Sequence, residues 1–224
     1  MSNAIAKEII PKWNLEDLYT GMQAPEFLSD LKEAEASAKA FSSRYKGKLE
    51  VIDNIGFGQS IQEYENLSEV LARVMSYAQL LFSADAENPD VAAFYQDTSE
   101  RVTEISSDTL FYELEINRLD DEILSKKLKH QITNKFKSWI DSIRAYRPYQ
   151  LADDVEKILH EKSVTGRASW SRLFDETMAG MRFEVDGRKI SNSEIMSRMS
   201  DKDHLVRKKA AKSVGKILSQ NVRI

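Results

Sequence analysis

Cysteine is absent from the chain, which has 224 residues. This absence excludes disulfide bonds, thiolate zinc sites and cysteine nucleophiles, and it is compatible with a reducing cytosol. Glycine and proline are scarce, with eight and four copies, which favours long uninterrupted elements over many turns. Histidine occurs three times, so few imidazoles are available for metal binding or proton transfer.

The sequence also lacks a large excess of charge of one sign and any long apolar run. Lysine and arginine number 32 and aspartate and glutamate 36, which gives a net charge of −4 and no global attraction to nucleic acid. No apolar run approaches the roughly 18 residues of a membrane span, and the N-terminus lacks the apolar core of a secretory signal. With 42% hydrophobic and 30% charged residues, we expect an ordinary globular protein of the cytoplasm, with no membrane partner.

Most of what is present follows a helical period. The first helix, ended by Gly47, has an apolar stripe of Phe27, Leu31, Ala34, Ala38, Phe41 and Tyr45. A second helix is predicted to start near Gln59, with a stripe of Leu67, Leu71, Val74, Ala78 and Leu81. A third is predicted to start at Pro89, with Val102, Ile105, Thr109, Tyr112 and Ile116 on one stripe. We therefore predict an N-terminal arm over 1–22 and an antiparallel helical layer over 23–118.

Shorter elements are predicted beyond residue 118. One helix, ending before Pro148, would have Ile132, Phe136, Trp139 and Ile143 on its stripe. A short helix is predicted over Asp153–Lys162, and a following one would have Trp170, Leu173, Phe174 and Met178 on its apolar stripe. The period then changes to alternation around Asp186-Gly187, which predicts one β-hairpin near 182–190. The predicted fold class is all-α: long antiparallel helices, then shorter ones, with this single hairpin.

The C-terminal segment is predicted to form two more helices. Ser191, with Glu194 three residues later, has the pattern of a capping box. The last helix is predicted to begin near Asp201, with a stripe of Val206, Ala210, Val214 and Ile217. Because no later residues follow to cover this stripe, we expect it to be exposed and to favour self-association through the last helix.

The pair His160-Glu161 raises the question of a zinc site. Zinc peptidases of one large class present His-Glu-x-x-His on a helix, where two imidazoles bind the metal and the glutamate activates water. Here Val164 occupies the position of the second imidazole, so the motif is broken at a ligand. The other histidines, His130 and His204, lie on separate predicted elements. We interpret all three as exposed or hydrogen-bonded imidazoles and predict no metal and no catalytic residue in this chain.

Other charged residues also favour structural roles. Asp153 and Asp154 suit the N-terminus of a helix dipole, whereas Asp175 and Glu176, being adjacent in a helix, point about 100° apart. A basic cluster lies near the C-terminus: Arg198, Lys202, Arg207, Lys208, Lys209, Lys212 and Lys216. We interpret it as a solvated helix face, with nucleic-acid binding as the weaker alternative.

Several phrases together resemble the N-terminal part of oligoendopeptidase F, a thimet-oligopeptidase-like zinc metallopeptidase. The phrases are WNLEDLY (13–19), RPYQL (147–151), KSVTGRASWSRLFDE (162–176), FEVDG (183–187) and DKDHLVRKKAAKSV (201–214). The match runs from Trp13 to about Gln220, and the combination of phrases is more specific than any one alone.

The resemblance implies a role within a larger enzyme. The family consists of cytoplasmic, mostly helical enzymes that cut short peptides in a deep cleft, with a His-Glu-x-x-His helix and a glutamate ligand in a later region that this sequence does not contain. The resemblance thus implies an N-terminal domain of this type over 119–184 and the start of the peptidase body over 185–224. It also implies zinc for the full-length enzyme only, short peptides and the C-terminal catalytic domain as partners, and an inactive chain when isolated. No catalytic, metal or substrate-binding residue is assigned by it.

A second interpretation belongs to another class. The chain could be a stand-alone, non-enzymatic helical module that binds peptides or proteins. In the peptidase interpretation, the resemblance implies that this part forms one wall of the cleft and selects substrates sterically, because a narrow covered channel admits an extended peptide and excludes folded proteins.

Overall fold

The computed structural model describes residues 13–222 and has an all-α fold with one small hairpin, as the sequence predicts. The helices are α1 (Pro25–Tyr45), α2 (Asn54–Ala84), α3 (Pro89–Ser107), α4 (Phe111–Arg118), α5 (Asp121–Leu128), α6 (Gln131–Asn134), α7 (Lys137–Arg144), α8 (Asp153–Lys162), α9 (Ser169–Gly180), α10 (Asn192–Met199) and α11 (His204–Gln220). A 3-10 turn covers Arg147–Tyr149 and a π-helical turn Val164–Ala168, and the strands are β1 (Phe183–Val185) and β2 (Arg188–Ile190). Within 13–222, every helix is too short or too polar to cross a membrane. The predicted lack of a secretory signal concerns residues 1–12, which lie outside the described part.

The chain forms two compact units. The first contains the described residues up to Asp85 together with Asp90–Thr165, and the second contains Ala86–Pro89 and the residues from Gly166 onward. Gly166 has non-helical backbone angles (φ −98°, ψ −111°) and interrupts the helical path between α8 and α9. The four segments predicted from the sequence, divided after residues 22, 118 and 184, remain a prediction.

In the first unit, α1 and α2 pack together, and the predicted α1 stripe is confirmed. All six of its apolar residues are buried, and Gly47, with φ +74°, follows the helix end in the left-handed region. A second apolar cluster joins the end of α1 and the start of α2 to α4, α5 and α7. At its centre, the buried hydroxyls of Ser60 and Tyr112 share a hydrogen bond of 2.6 Å, and burial raises the pKa of Tyr112.

Two predicted helix boundaries in this unit are wrong. Helix α2 begins at Asn54 rather than near Gln59, because the Asp53 side chain accepts a hydrogen bond from the Gly56 N–H and caps an earlier start. The predicted third helix is in fact two, α3 and α4, separated at 108–110. There, the hydroxyls of Ser106, Ser107 and Thr109 donate to backbone carbonyls of the preceding turn, which competes with continued helix formation.

The single helix predicted around Ile132–Ile143 is also two helices, α6 and α7, although α7 ends before Pro148 as predicted. The reason is the packing of α6 on α2. The Thr133 hydroxyl donates to the Asn54 carbonyl at 3.0 Å, and the side chain of Ile132 lies directly over Gly58. These tertiary contacts fix α6 in a direction that the local periodicity does not reveal.

In the second unit the predicted hairpin is confirmed. Phe183 pairs with Ile190, and Asp186 and Gly187 both have positive φ, 53° and 76°, as a two-residue turn between twisted strands requires. Ser191 caps α10 by accepting from the Glu194 N–H at 3.3 Å.

The expectation of an exposed stripe on the last helix is wrong. Ala210 is fully buried, and Val214 and Ile217 pack against the core formed by the hairpin and Ile195. The residues that cover this stripe belong to the hairpin, which precedes α11 in the chain, and not to a segment that follows α11. The reason for expecting self-association through this helix therefore disappears.

Candidate functional site

The three histidines lie far apart in the sequence, and their side chains have different surroundings. The His130 Nδ1 accepts from the Ile132 N–H at 3.4 Å at the start of α6. The His160 Nε2 lies 2.9 Å from the Ser106 hydroxyl and 3.2 Å from the Thr103 carbonyl, whereas the His204 side chain is exposed at the start of α11. Each imidazole has a local structural environment rather than a shared one.

The described residues do not fit a zinc ion. No three histidine, aspartate or glutamate side chains of 13–222 converge in a way that could hold a metal. Glu161, next to His160, instead pairs with Lys157 at 3.6 Å on the surface of α8. Catalytic zinc requires three converging protein ligands and an open position, so no metal chemistry is assigned to these residues.

The other charged candidates also have structural partners. Asp153 pairs with Arg118 through both oxygens, and this hydrogen bonding lowers the pKa of Asp153. Asp154 accepts from the Val155 N–H, while Glu176 lies 3.6 Å from an arginine on α9.

In the C-terminal basic cluster, three residues are engaged within the second unit. Arg198 pairs with Glu194 at 3.1 Å, Lys209 pairs with Asp186 at 2.7 Å, and Arg207 donates to two backbone carbonyls.

Helix α8 is attached to the first unit through polar side chains. Asp153 binds the arginine at the end of α4, and His160 binds α3. The two residues are seven positions apart, roughly two helical turns, so they project from the same face. No residue of α8 is buried, which is unusual for a helix that forms part of a compact unit.

The opposite face of α8 is apolar and exposed. Val155, Ile158 and Leu159 have exposed fractions of 40%, 56% and 55%. At about 100° per residue, all three project away from the face of Asp153 and His160. We name these three residues the α8 apolar face. Its polarity is the inverse of a normal surface helix, which directs its apolar stripe into the core.

Sequence reasoning missed this inversion. It predicted the bounds of α8, which are confirmed, but it assigned no function to the face. The signal was available: the positions that contact the body are aspartate and histidine, whereas the valine, isoleucine and leucine occur at spacings of three and four. Apolar periodicity identifies a stripe, but it does not say whether this chain itself provides the cover.

Helix α9 in the second unit shows a similar exposure. A helix is present where its stripe residues predict one, but none of its residues is buried, and Trp170 and Phe174 are 70% and 63% exposed. The residues that marked its stripe are therefore not all core residues. Only Met178 among them packs against the hairpin core.

Comparisons with known proteins find a family match in the segment that contains α8 and α9. A family model described as Oligopeptidase F matches residues 115–183. The chain is 24% identical to an oligoendopeptidase F homologue of Borreliella burgdorferi over 200 residues, which are 89% of this chain and 33% of that protein.

Solved structures share the fold. The crystal structure of oligoendopeptidase-F from Enterococcus faecium matches with a TM-score of 0.75 and 23% identity, covering 87% of this chain and 40% of that one. A putative peptidase from Chlamydophila abortus matches with a TM-score of 0.51 and 15% identity, covering 93% of this chain and 36% of that one. The chain thus spans well under half of the length of these relatives. In the segment matched by the family model, in its similarity to the Borreliella burgdorferi homologue and in its fold, the chain resembles the N-terminal part of oligoendopeptidase F.

Proposed function

We propose that the chain is the N-terminal part of an oligoendopeptidase F-type zinc peptidase that hydrolyses short peptides in the cytoplasm. In this proposal it contributes a wall of the substrate cleft and docks onto the catalytic part through the α8 apolar face. The observation that carries the proposal is the inverted polarity of α8, which lies within the segment matched by the family model, 115–183. The resemblance supplies the identity of the docking partner.

The energetics of the α8 apolar face favour a covering partner. About half of the surface of each of its three side chains is exposed, so covering the remainder would contribute about 1 kcal/mol per residue. Together this amounts to about 3 kcal/mol for the whole face.

The division of chemical labour follows from the available side chains. The chain's own residues would bind and orient a peptide and exclude bulky substrates, because a narrow covered channel admits only an extended chain. Zinc in the catalytic part would supply the activated water that attacks the peptide bond.

The proposal is tested first on the complete product of the gene that encodes this chain. A reading frame that continues past Ile224 into a His-Glu-x-x-His motif supports it. A stop codon followed by unrelated sequence contradicts it and supports the alternative, a stand-alone peptide- or protein-binding module, for which the α8 apolar face would bind a separate protein.

The docking role is then tested with a triple variant, Val155→Gln, Ile158→Gln and Leu159→Gln. Glutamine has a helix propensity close to that of leucine, so α8 itself should persist. The matched control changes three exposed apolar residues elsewhere in the first unit, Leu28, Val51 and Ile55, to glutamine.

We expect the α8 variant to destabilise the complete product by about 3 kcal/mol and to reduce peptide hydrolysis, while the isolated chain changes by less than about 1 kcal/mol. Chemical denaturation of both forms measures this difference. If the α8 variant and the control variant behave alike in the complete product, the α8 apolar face is not a docking surface.

A further inference from the structure

A second feature of the first unit is a pocket that the docking role does not use. It has a volume of about 380 Å³, within the range of ligand sites, and opens between α4, α7, the 3-10 turn and α8. Its lining consists of Glu113, Leu114, Asn117, Trp139, Ser142, Ile143, Tyr146, Tyr149, Gln150 and Glu156.

The pocket is negatively charged. Glu113 and Glu156 line it, and no basic side chain of the described residues does. The arginines nearest in sequence, Arg118, Arg144 and Arg147, form ion pairs with aspartates that are not part of the lining. The charge of the pocket is therefore available to a cationic ligand.

The two carboxylates keep acceptor capacity for such a ligand. Glu113 accepts one hydrogen bond from the Tyr64 hydroxyl at 3.0 Å, and Glu156 accepts one from the Leu151 N–H at 2.8 Å. An ionised carboxylate has two oxygens and about four lone-pair positions, so each can accept further donors.

The amide oxygens of two lining side chains also receive no hydrogen bond. Asn117, which is 5% exposed, and Gln150 each have a buried amide oxygen with no hydrogen-bond partner among the described residues. The Gln150 amide nitrogen is fixed by donating to the Leu114 carbonyl at 3.2 Å. A buried acceptor without a donor is unfavourable, so a small side-chain rotation that lets a ligand N–H reach either oxygen would remove this cost.

Aromatic and aliphatic groups complete the lining. Tyr146 and Tyr149 are 71% and 78% exposed and lie at the rim, while Trp139 is half-buried against the core. Aromatic faces attract cations, and the buried side chains of Leu114 and Ile143 offer apolar surface for a methylene stem.

We propose that this pocket binds the side chain of a lysine in a peptide. The ammonium group has three donors for the carboxylates and amide oxygens, and the four-carbon stem fits the apolar part of the lining. That a peptide carries the lysine rests on the proposed function, whereas the recognition of an alkylammonium group depends only on the pocket.

The test is an NMR titration of the chain with Nα-acetyl-lysine methylamide, whose side-chain ammonium is free. Binding is followed through the indole N–H signal of Trp139, and this signal is assigned with the variant Trp139→Phe. The neutral probe of similar shape is N-acetyl-norleucine methylamide. We expect saturable binding of the lysine probe and at least about tenfold weaker binding of the norleucine probe, since hydrogen bonds to charged groups are the stronger ones.

Isosteric variants test the assignment to the pocket. Glu113→Gln and Glu156→Gln keep an acceptor for their present hydrogen bonds and should each weaken lysine binding about tenfold. Glu161→Gln, with the same change of charge on α8 but outside the lining, should leave binding unchanged. Tyr149→Ala, at a largely exposed position, should weaken binding severalfold without affecting the fold, and it serves as the second variant if Glu113→Gln is unstable.

The outcomes separate the two proposals. Equal affinity for the lysine and norleucine probes, or lysine binding unaffected by Glu156→Gln and Tyr149→Ala, overturns the pocket assignment. Lysine binding by a chain whose complete gene product cleaves no peptide would leave the alkylammonium site in place and remove the peptidase proposal.

Discussion

The replacement Gly58→Ala tests the packing of α6 on α2, the contact that the sequence did not reveal. In an exposed helix, alanine is more favourable than glycine by about 1 kcal/mol. At Gly58, however, the added Cβ would fall on the Cγ2 methyl of Ile132 and lie 3.1 Å from both the Ile132 Cβ and the Thr133 hydroxyl.

Relief of this clash requires α6 to move. Ile132 is β-branched and cannot swing its γ carbon freely, and a shift of α6 weakens the hydrogen bond from Thr133 to the Asn54 carbonyl. Overpacking costs about 1–3 kcal/mol and a lost hydrogen bond about 1 kcal/mol. After subtraction of the helix-propensity gain, we expect a net destabilisation of about 1–3 kcal/mol.

Gly215→Ala is the matched control. Gly215 lies within α11, where an added Cβ meets nothing within 4 Å, so this change should stabilise the chain by up to about 1 kcal/mol. Urea unfolding followed by far-ultraviolet circular dichroism measures both free energies of unfolding. Opposite signs support the packing described above; a stabilising Gly58→Ala would refute it.

Three further predictions concern single residues. Lys127 is buried, and its ammonium group donates to the Ile52 carbonyl at 2.6 Å. Burial lowers the pKa of Lys127 below 10.5, so this side chain loses its proton at a lower pH in the folded chain than in the unfolded chain. Stability relative to Lys127→Met should therefore rise as pH increases from the lowered pKa to 10.5, as pH-dependent urea unfolding would show. Burial and the hydrogen bond to Asp30 raise the pKa of Tyr19 from 10.0 to about 12, so its contribution to stability is complete below pH 10 and is lost as pH rises to 12. Tyr19→Phe should lose less stability than the wild type over that window in the same assay; an equal loss contradicts this. Gly187→Ala should destabilise the second unit by about 1 kcal/mol in thermal unfolding, because residue 187 has φ +76°.

Elements with strong local signals were predictable from the sequence. All six residues of the α1 stripe that the helical period predicts are buried. Asp186 and Gly187 are residue types that tolerate positive φ angles, and both adopt them in the predicted turn. In the hairpin, the decisive interactions lie between adjacent residues, whereas in α1 the long regular period defines one face, which α2 then covers. The break between α3 and α4 was missed, because apolar spacing continues across it while side-chain hydroxyls capture the backbone.

The candidate surfaces were not predictable in the same way. A stripe of apolar residues has the same pattern whether it is covered, as on α11, or exposed, as on α8. The difference depends on which other element packs there, and this is a tertiary property. The pocket combines side chains from residues 113–156, whose convergence follows from the packing of α4 and α7.

Peptide hydrolysis tests the central claim most directly, since the chain is proposed to be a non-catalytic part of a peptidase. The isolated chain and the complete gene product are dialysed, supplied with zinc and assayed on a fluorogenic oligopeptide with and without chelator. We predict no cleavage by the isolated chain and chelator-sensitive cleavage by the complete product. Chelator-sensitive cleavage by the isolated chain, abolished by His160→Ala or Glu161→Gln, would contradict the account.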